Sequence, residues 1–343
     1  MNHAVRSEGV ASAEVLRDAP ALRRIEAEWR YLCERCRNTT PFQRPEWLLP
    51  WIETFAPEDV CAIAVRSESR LIGFAPLLTY RRGPDRVLAF MGGGVSDYLD
   101  WLVEPGMEET ALPPVLQSIH EQPGWNLLEL TDIPGNSSLL TLDPFRQCTY
   151  PHDSCPVLRL PATQDELRHL FSKRQRANIR NSGSHLQRAG GPTVETATGQ
   201  TLAEFLDDLF RLHTSRWSRA GGPGVLHDQR IREFHRRSAP LLLACGRLRF
   251  YRLRLRDHTI AALYTLHERS TVFCYLQGFD PDSASLSPGT YLMFSAIQDA
   301  VRIGMRRFDF LRGQESYKRH WRPQPEVTYC LQLARSAALQ DAA

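Results

Sequence analysis

At 343 residues the chain is longer than one ordinary domain and fits two. Its 42% hydrophobic and 24% charged residues exclude a disordered or fibrous class, and a net charge of +3 does not require a nucleic-acid partner. No run approaches the length of a membrane span, and Met1 to Pro20 has no apolar core of a secretory leader, so a cytoplasmic protein is expected.

In chain order, residues 20–37 read as a helix, and 60–65 and 71–80 as strands around a polar turn. Residues 87–91 lead into Gly92-Gly93-Gly94 and then an extended 98–103, followed by a helix at 112–122 and a strand at 125–130. The segment 131–160, with several prolines and Gly135-Asn136-Ser137-Ser138, reads as a connection. The order then repeats. Helices are predicted at 164–189, 201–219 and 228–245, strands at 247–256, 259–267 and 271–279, then helix 290–303 and strand 306–311. The expectation is an α/β (α+β) chain of two tandem units, 1–150 and 151–343, each a mixed, mostly antiparallel sheet flanked by helices.

Chemistry concentrates in residues 271–321. From Thr271 to Phe279 the pattern alternates, with Val272, Cys274 and Leu276 on one face and Phe273, Tyr275, Gln277 and Phe279 on the other. Ser287-Pro288-Gly289-Thr290-Tyr291 then opens an apolar helix. Proline suits a helix start, glycine admits close backbone approach, and unpaired N–H groups at a helix N-terminus attract anions. The strand after that helix delivers Asp309, Arg312, Glu315 and Lys318 nearby. An anion grip beside reactive side chains points to a transferase with a phosphate-bearing donor.

Several pieces together resemble the GNAT acyltransferase superfamily, in the CelD-like branch linked to cellulose biosynthesis and related to Fem-type peptidyltransferases. They are Ser287-Pro288-Gly289-Thr290, Phe308-Asp309-Phe310-Leu311-Arg312-Gly313, Glu315-Ser316-Tyr317-Lys318 with Trp321, and, upstream, Pro41-Phe42-Gln43, Pro45-Glu46-Trp47, Ser96-Asp97-Tyr98-Leu99-Asp100, and Leu212-His213 with Arg216-Trp217. The resemblance implies two tandem GNAT-like units, with the donor site in the second and acceptor recognition in the first. It implies acetyl-CoA or another acyl-CoA as co-substrate, no metal, and transfer to an amine or hydroxyl, such as that of a sugar or exopolysaccharide precursor, by direct attack. Ser287, Pro288, Gly289, Thr290 and Tyr291 would bind the donor. Asp309 and Glu315 are the catalytic candidates. Asp97, Tyr98, Trp217, Tyr275, Gln277, Arg312 and Lys318 are the substrate-binding candidates. The phosphate loop departs from the superfamily's Gln/Arg-x-x-Gly-x-Gly/Ala pattern, since with Gly289 as its first glycine it begins at Leu286 and ends at Tyr291. That leaves open a Fem-type transferase using aminoacyl-tRNA, and a catalytically silent protein assisting polysaccharide synthesis.

Other features have bland readings beside functional ones. The glycine triplet reads as a turn or as a cleft lining. The basic stretch with Arg168, Lys173, Arg174, Arg176, Arg180 and Arg188 reads as a solvated helix face or an anion grip. His213 and Trp217, four apart on one helix, read as packing or as a general base with its neighbour. Several of the eight cysteines fall in apolar strand-like runs and read as buried thiols, and the lone Cys33-x-x-Cys36 pair reads as inert packing or as a metal or redox pair. Asp309 is read on the strand face opposite Phe308 and Phe310, turned to the cleft.

Overall fold

The computed structural model describes residues 11–335 except Pro144, Ala220 and Gln314. These residues divide into two compact units, 11–153 with 327–335, and 154–326. Each is of mixed α/β build, with sheets flanked by helices.

The first unit runs β1 (Ser12–Leu16), α1 (Ala19–Arg24), α2 (Glu26–Arg35), α3 (Pro45–Phe55), β2 (Asp59–Val60), β3 (Ala62–Ser67), β4 (Arg70–Ala75), β5 (Leu77–Arg82), β6 (Asp85–Phe90), β7 (Leu102–Val103), α4 (Glu108–Glu121) and β8 (Leu127–Pro134). The second contributes β9 (Thr149–Arg159), α5 (Gln164–Leu170), α6 (Lys173–Ala189), β10 (Pro192–Thr196), α7 (Leu202–Arg219), α8 (Gln229–Ala244), β11 (Leu248–Leu255), β12 (His258–Glu268), β13 (Thr271–Phe279), α9 (Pro288–Arg302), β14 (Arg307–Asp309) and α10 (Ser316–Arg319). The last described strand, β15 (Gln324–Ala334), pairs antiparallel with β8.

In the first unit, β1-β3-β4-β7 form an antiparallel sheet, and β15-β8-β6-β5-β2 form a mixed one with β6 and β8 parallel. Two expected elements change here. The single strand expected at 71–80 is two, because Pro76 has no N–H to continue a ladder, and β4 and β5 go to different sheets. The segment expected as a connection, 131–160, holds the end of β8 and the eleven-residue β9. Helix α3, not foreseen at all, starts with Pro45 in its first turn and buries Trp47, Leu48, Leu49, Trp51 and Ile52. Pro45 and Pro50, which read as breakers, both fall within its eleven residues. The glycine triplet is a turn. Gly92 has φ +93, and a Cβ there would meet Ser96 Oγ at 2.8 Å, so only glycine fits.

The second unit's sheet has the order β10-β11-β12-β13-β14-β9, antiparallel except for the parallel β13–β14 pair. β12 is buried along almost its whole length, as a central strand with both faces covered should be. On one face, Leu292, Met293, Ala296, Ile297, Ala300 and Val301 of α9 pack with Leu158, Val272, Cys274, Phe308 and Phe310. Gly304, at φ +83, ends that helix with Met305 N–H on the Ala300 carbonyl. The helix expected at 164–189 is two. Ser172 caps α6 through a reciprocal pair with Gln175, a Ser-x-x-Gln capping box.

Candidate functional site

Two local irregularities open a space in the second unit. Register between β13 and β14 covers three pairs and stops at Phe273–Asp309, whereas β13 runs on to Phe279. Register between β12 and β13 also slips between Tyr264 and Thr265, whose partners are Leu276 and Cys274. Tyr275 is therefore an extra residue, and such a bulge flips the side chains beyond it. The expected alternation fails for that reason. Val272 and Cys274 lie in the α9 core, and Phe279 packs against that same core. Tyr275 turns to the other face, its ring 5.5 Å from His235 and 5.9 Å from Tyr264. Gly278 presses on α7, where a Cβ would come within 2.6 Å of the His213 backbone nitrogen.

Beside the free length of β13 lies a cavity of about 500 Å³. Its walls come from the α6 face bearing Gln175, Asn178, Ile179 and Ser182, from Gln277 and Phe279, from the α9 start Ser287-Pro288-Gly289-Thr290, and from Tyr317, His320 and Trp321. The spacing of the α6 residues is that of one helix face. The α9 N-terminus has no side-chain cap: Ser287 sits at φ 54, in the left-handed region, and its hydroxyl does not bond back to the helix. Pro288 has no N–H to leave unpaired, and the Gly289 and Thr290 amides belong to the first turn, where no intrahelical partner exists. A Cβ at Gly289 would stand 3.7 Å from Phe279, an ordinary contact, so the protein itself has room for a larger residue there. Ser182, 1% exposed, donates to the carbonyls of Leu286 and Ser287 and fixes this turn to α6.

The charge of the wall has one sign. Arg216, His185 and His320 line the cavity with no aspartate or glutamate among them. The Arg216 guanidinium lies 5.1 Å from the Phe279 ring centre and 5.9 Å from that of Tyr317. Tyr317 bonds to Gln277. Burial, reinforced by Cys274 and Glu315, pushes its phenol well above the usual range, so it stays protonated and available as a donor.

The candidates from sequence divide on this geometry. Ser287, Pro288, Gly289, Thr290 and Gln277 line the cavity together. Tyr291, one residue deeper, packs partly buried against the α9 core. Asp309 is 1% exposed rather than turned to a cleft, and its carboxylate accepts from the Leu311 amide at 2.8 Å. The alternation itself holds, since Phe308 and Phe310 both pack in the α9 core, but the opposite face at Asp309 is buried as well. Lys318 is also buried. Its ammonium donates to the carbonyls of Leu311 at 3.1 Å and Gly313 at 3.3 Å, as well as to Arg312, and pairs with Glu315 at 2.9 Å. It stitches the turn instead of reaching a ligand. Glu315 is 40% exposed, and Gly313 (φ +109) leaves it room, since a Cβ there would meet Glu315 Oε2 at 2.4 Å. Arg312 is half-buried in the same turn.

Trp217 lies beside His213, ring centres 6.0 Å apart, away from the cavity wall. His213 itself is buried, and burial with Arg216 and Arg232 nearby lowers it to about 4. Asp97 and Tyr98 belong to the first unit, in the loop before β7, where Tyr98 packs near Phe42 with ring centres 6.4 Å apart. Cys33 and Cys36 are buried free thiols, and Cys36 donates to the Val103 carbonyl at 2.9 Å. Sequence reasoning weighed the arginines of α6 as an anion grip but did not assign Arg216, Tyr317 or the polar α6 residues Gln175, Asn178 and Ser182 to a site. Polar residues three and four apart on α6 were the available signal, obscured by the surrounding arginines.

Residues 173–319 match the family described as acetyltransferase (GNAT) domain. No curated protein matches the chain. Among solved structures, FemX has a TM-score of 0.67 at 12% identity, covering 93% of this chain and 98% of its own. The C-terminal domain of a putative lysylphosphatidylglycerol synthetase from Agrobacterium fabrum has a TM-score of 0.54 at 15% identity, over 92% of this chain and 95% of that one. L-PGS from Bacillus licheniformis has a TM-score of 0.56 at 12% identity, over 89% and 90%. At such identities the likeness is one of fold. Residues 173–319, which supply all of the cavity wall except His320 and Trp321, thus match a GNAT acetyltransferase domain, within a chain whose fold is similar to that of FemX.

Proposed function

We propose that the second unit is an acyl-CoA-dependent acyltransferase that moves an acetyl or other acyl group to an amine or hydroxyl. The observation that carries this reading is the uncapped α9 N-terminus opening on a cavity whose charged lining is only basic. The Gly289 and Thr290 amides would hold the diphosphate of the donor, and Arg216 would add to the field. The free length of β13 beyond Phe273 would take the extended arm of the donor alongside it.

In the reaction, the acceptor's nitrogen or oxygen attacks the thioester carbonyl, the C–S bond breaks, and the thiolate leaves. Glu315 stands outside the cavity wall and is the carboxylate of the Asp309–Glu315 pair that solvent reaches; it would take the acceptor's proton through water. Tyr317, held by Gln277, would donate a hydrogen bond to the departing thiolate, and the proton taken by Glu315 would pass to the thiolate through water. Asp309 and Lys318 act by shaping the turn that carries Arg312 and Glu315. The first unit, with Asp97 and Tyr98, recognises the acceptor. A sugar or polysaccharide precursor is the acceptor class suggested by the CelD-like resemblance.

A second reading, an aminoacyl-tRNA donor, is favoured by the FemX-like fold over 93% of the chain and by the arginines of α6. A thermal-shift panel of acetyl-CoA, longer acyl-CoAs and tRNA separates the two. A ligand at 100 times its dissociation constant stabilises by about 2.7 kcal/mol. Stabilisation by acyl-CoA and not tRNA supports the first reading; the reverse supports the second.

A further inference from the structure

A second, smaller cavity of about 360 Å³ adjoins the one described. Gln175, Asn178 and His320 line both, so the two spaces are continuous around the start of α6. Three arginines converge on the smaller one: Arg174 from the first turn of α6, Arg319 from the end of α10, and Arg322 just beyond it. Among the described residues none of the three has a carboxylate partner. Some arginines elsewhere in this unit are paired, as Arg302 is with Asp299 and Arg307 with Glu326, and others, Arg216 among them, are not; these three are set apart by sharing one cavity. Three like charges gathered without a counter-charge repel one another, and an anion placed among them relieves that. Arg322 also has a left-handed backbone (φ 55), a costly conformation for a residue without a structural reason to hold it. Its amide bonds to the Arg319 carbonyl at 3.1 Å, closing the turn that brings the two side chains to one place.

We infer that this cavity is a phosphomonoester subsite for the donor, separate from the diphosphate grip at α9, and that it selects nucleotide donors carrying a 3′-phosphate. The inference rests on the acyl-CoA reading above. Planar guanidinium groups suit a dianionic phosphate, which offers three acceptor oxygens to several forks at once. Continuity with the main cavity places both phosphate sites on one ligand. A donor ending in a diphosphate alone would leave the arginines unused.

The test is calorimetric titration of the full chain with CoA and with 3′-dephospho-CoA. The wild-type protein is expected to prefer CoA by about tenfold or more, the scale of a charge-assisted contact. In the R319A/R322A protein the affinity for dephospho-CoA stays as it was, and that for CoA falls to meet it. R319K/R322K, which keeps charge but loses the fork, retains part of the preference. These side chains are exposed, so melting temperatures should match the wild type. Equal affinity of the wild-type protein for the two ligands overturns the inference and leaves the donor reading standing. A preference that survives in the R174A/R319A/R322A protein overturns it as well. Binding of neither nucleotide, or of tRNA in their place, overturns the donor reading and this inference with it.

Discussion

The Ser182 hydroxyl donates to the Ser287 carbonyl at 2.9 Å and to the Leu286 carbonyl at 3.2 Å. One buried side chain on α6 thus satisfies two carbonyls of the turn that presents the α9 N-terminus. Ser182→Ala leaves both without this donor, at a cost of about 1–3 kcal/mol. Urea denaturation should report that loss, and donor affinity should fall with it, because the turn is no longer held. Unchanged stability would mean that the turn is fixed by other contacts.

Gly289→Val separates fold from binding. A Cβ at this position meets only Phe279, at an ordinary 3.7 Å, so the melting temperature should hardly move. The added branch stands between the first-turn amides and any diphosphate, so acetyl-CoA affinity should fall at least about tenfold. A folded variant with wild-type affinity would place the diphosphate elsewhere.

Lys318 and Glu315 form one ion pair but should behave differently on substitution. Lys318→Met removes a buried ammonium from three carbonyls and should cost about 3 kcal/mol or more, seen in the denaturation midpoint. Glu315 is half open to solvent, and Glu315→Gln keeps its shape. That variant should melt near the wild-type temperature and lose about 100-fold in turnover, the scale of general-base catalysis. Early melting with normal turnover in Glu315→Gln would make it a structural residue like Lys318.

Acid stability should carry a signature of buried histidines. Burial lowers His213 and His267 to about 4 and His235 to about 3. The unfolded chain has them near 6.5, so between those values it binds protons that the folded chain does not. Their contribution is complete above about 6.5 and is lost as the pH falls towards 4 and below. Asp100 has the opposite sign, being raised by burial to about 7 against hydrogen bonds from Ser137 and Trp101, and so favours the fold as the pH falls through that range. His235→Phe, in a pocket with Phe234, Tyr264 and Tyr275, removes one histidine and nothing else that titrates. Stability of this variant, measured by urea denaturation from pH 7 to 4, should fall less steeply than that of the wild type. Equal slopes would mean that His235 takes up its proton in the folded state as readily as in the unfolded one.

Much of the second unit could be read from sequence because its strands alternate and α9 keeps a clear helical period between Pro288 and Gly304. The turn at Ser287-Pro288-Gly289-Thr290 was legible for the same reason, as proline and glycine mark it chemically. What escaped detection depends on partners distant in sequence. The bulge at Tyr275 is a register slip against β12, invisible in β13 alone, and it moves Gln277 and Phe279 to the cavity face while turning Tyr275 away. Asp309 alternates correctly by sequence, yet β14 stops after three residues and the carboxylate is consumed by the Leu311 amide. Lys318 has the composition of a ligand anchor, and only tertiary structure reveals the carbonyls that claim it. In the first unit, α3 was lost because Pro45 and Pro50, which read as breakers, both fall within its eleven residues.

The central claim is that an acyl-CoA donor binds at the α9 N-terminus of the second unit. Hydrogen exchange of the full chain with and without acetyl-CoA tests it most directly, since a ligand held by backbone amides slows their exchange. The account predicts protection at peptides spanning 284–293, 173–186 and 274–279, with none at 105–115 around the start of α4 of the first unit. Protection at 105–115, or none at 284–293 with acetyl-CoA saturating, would contradict it.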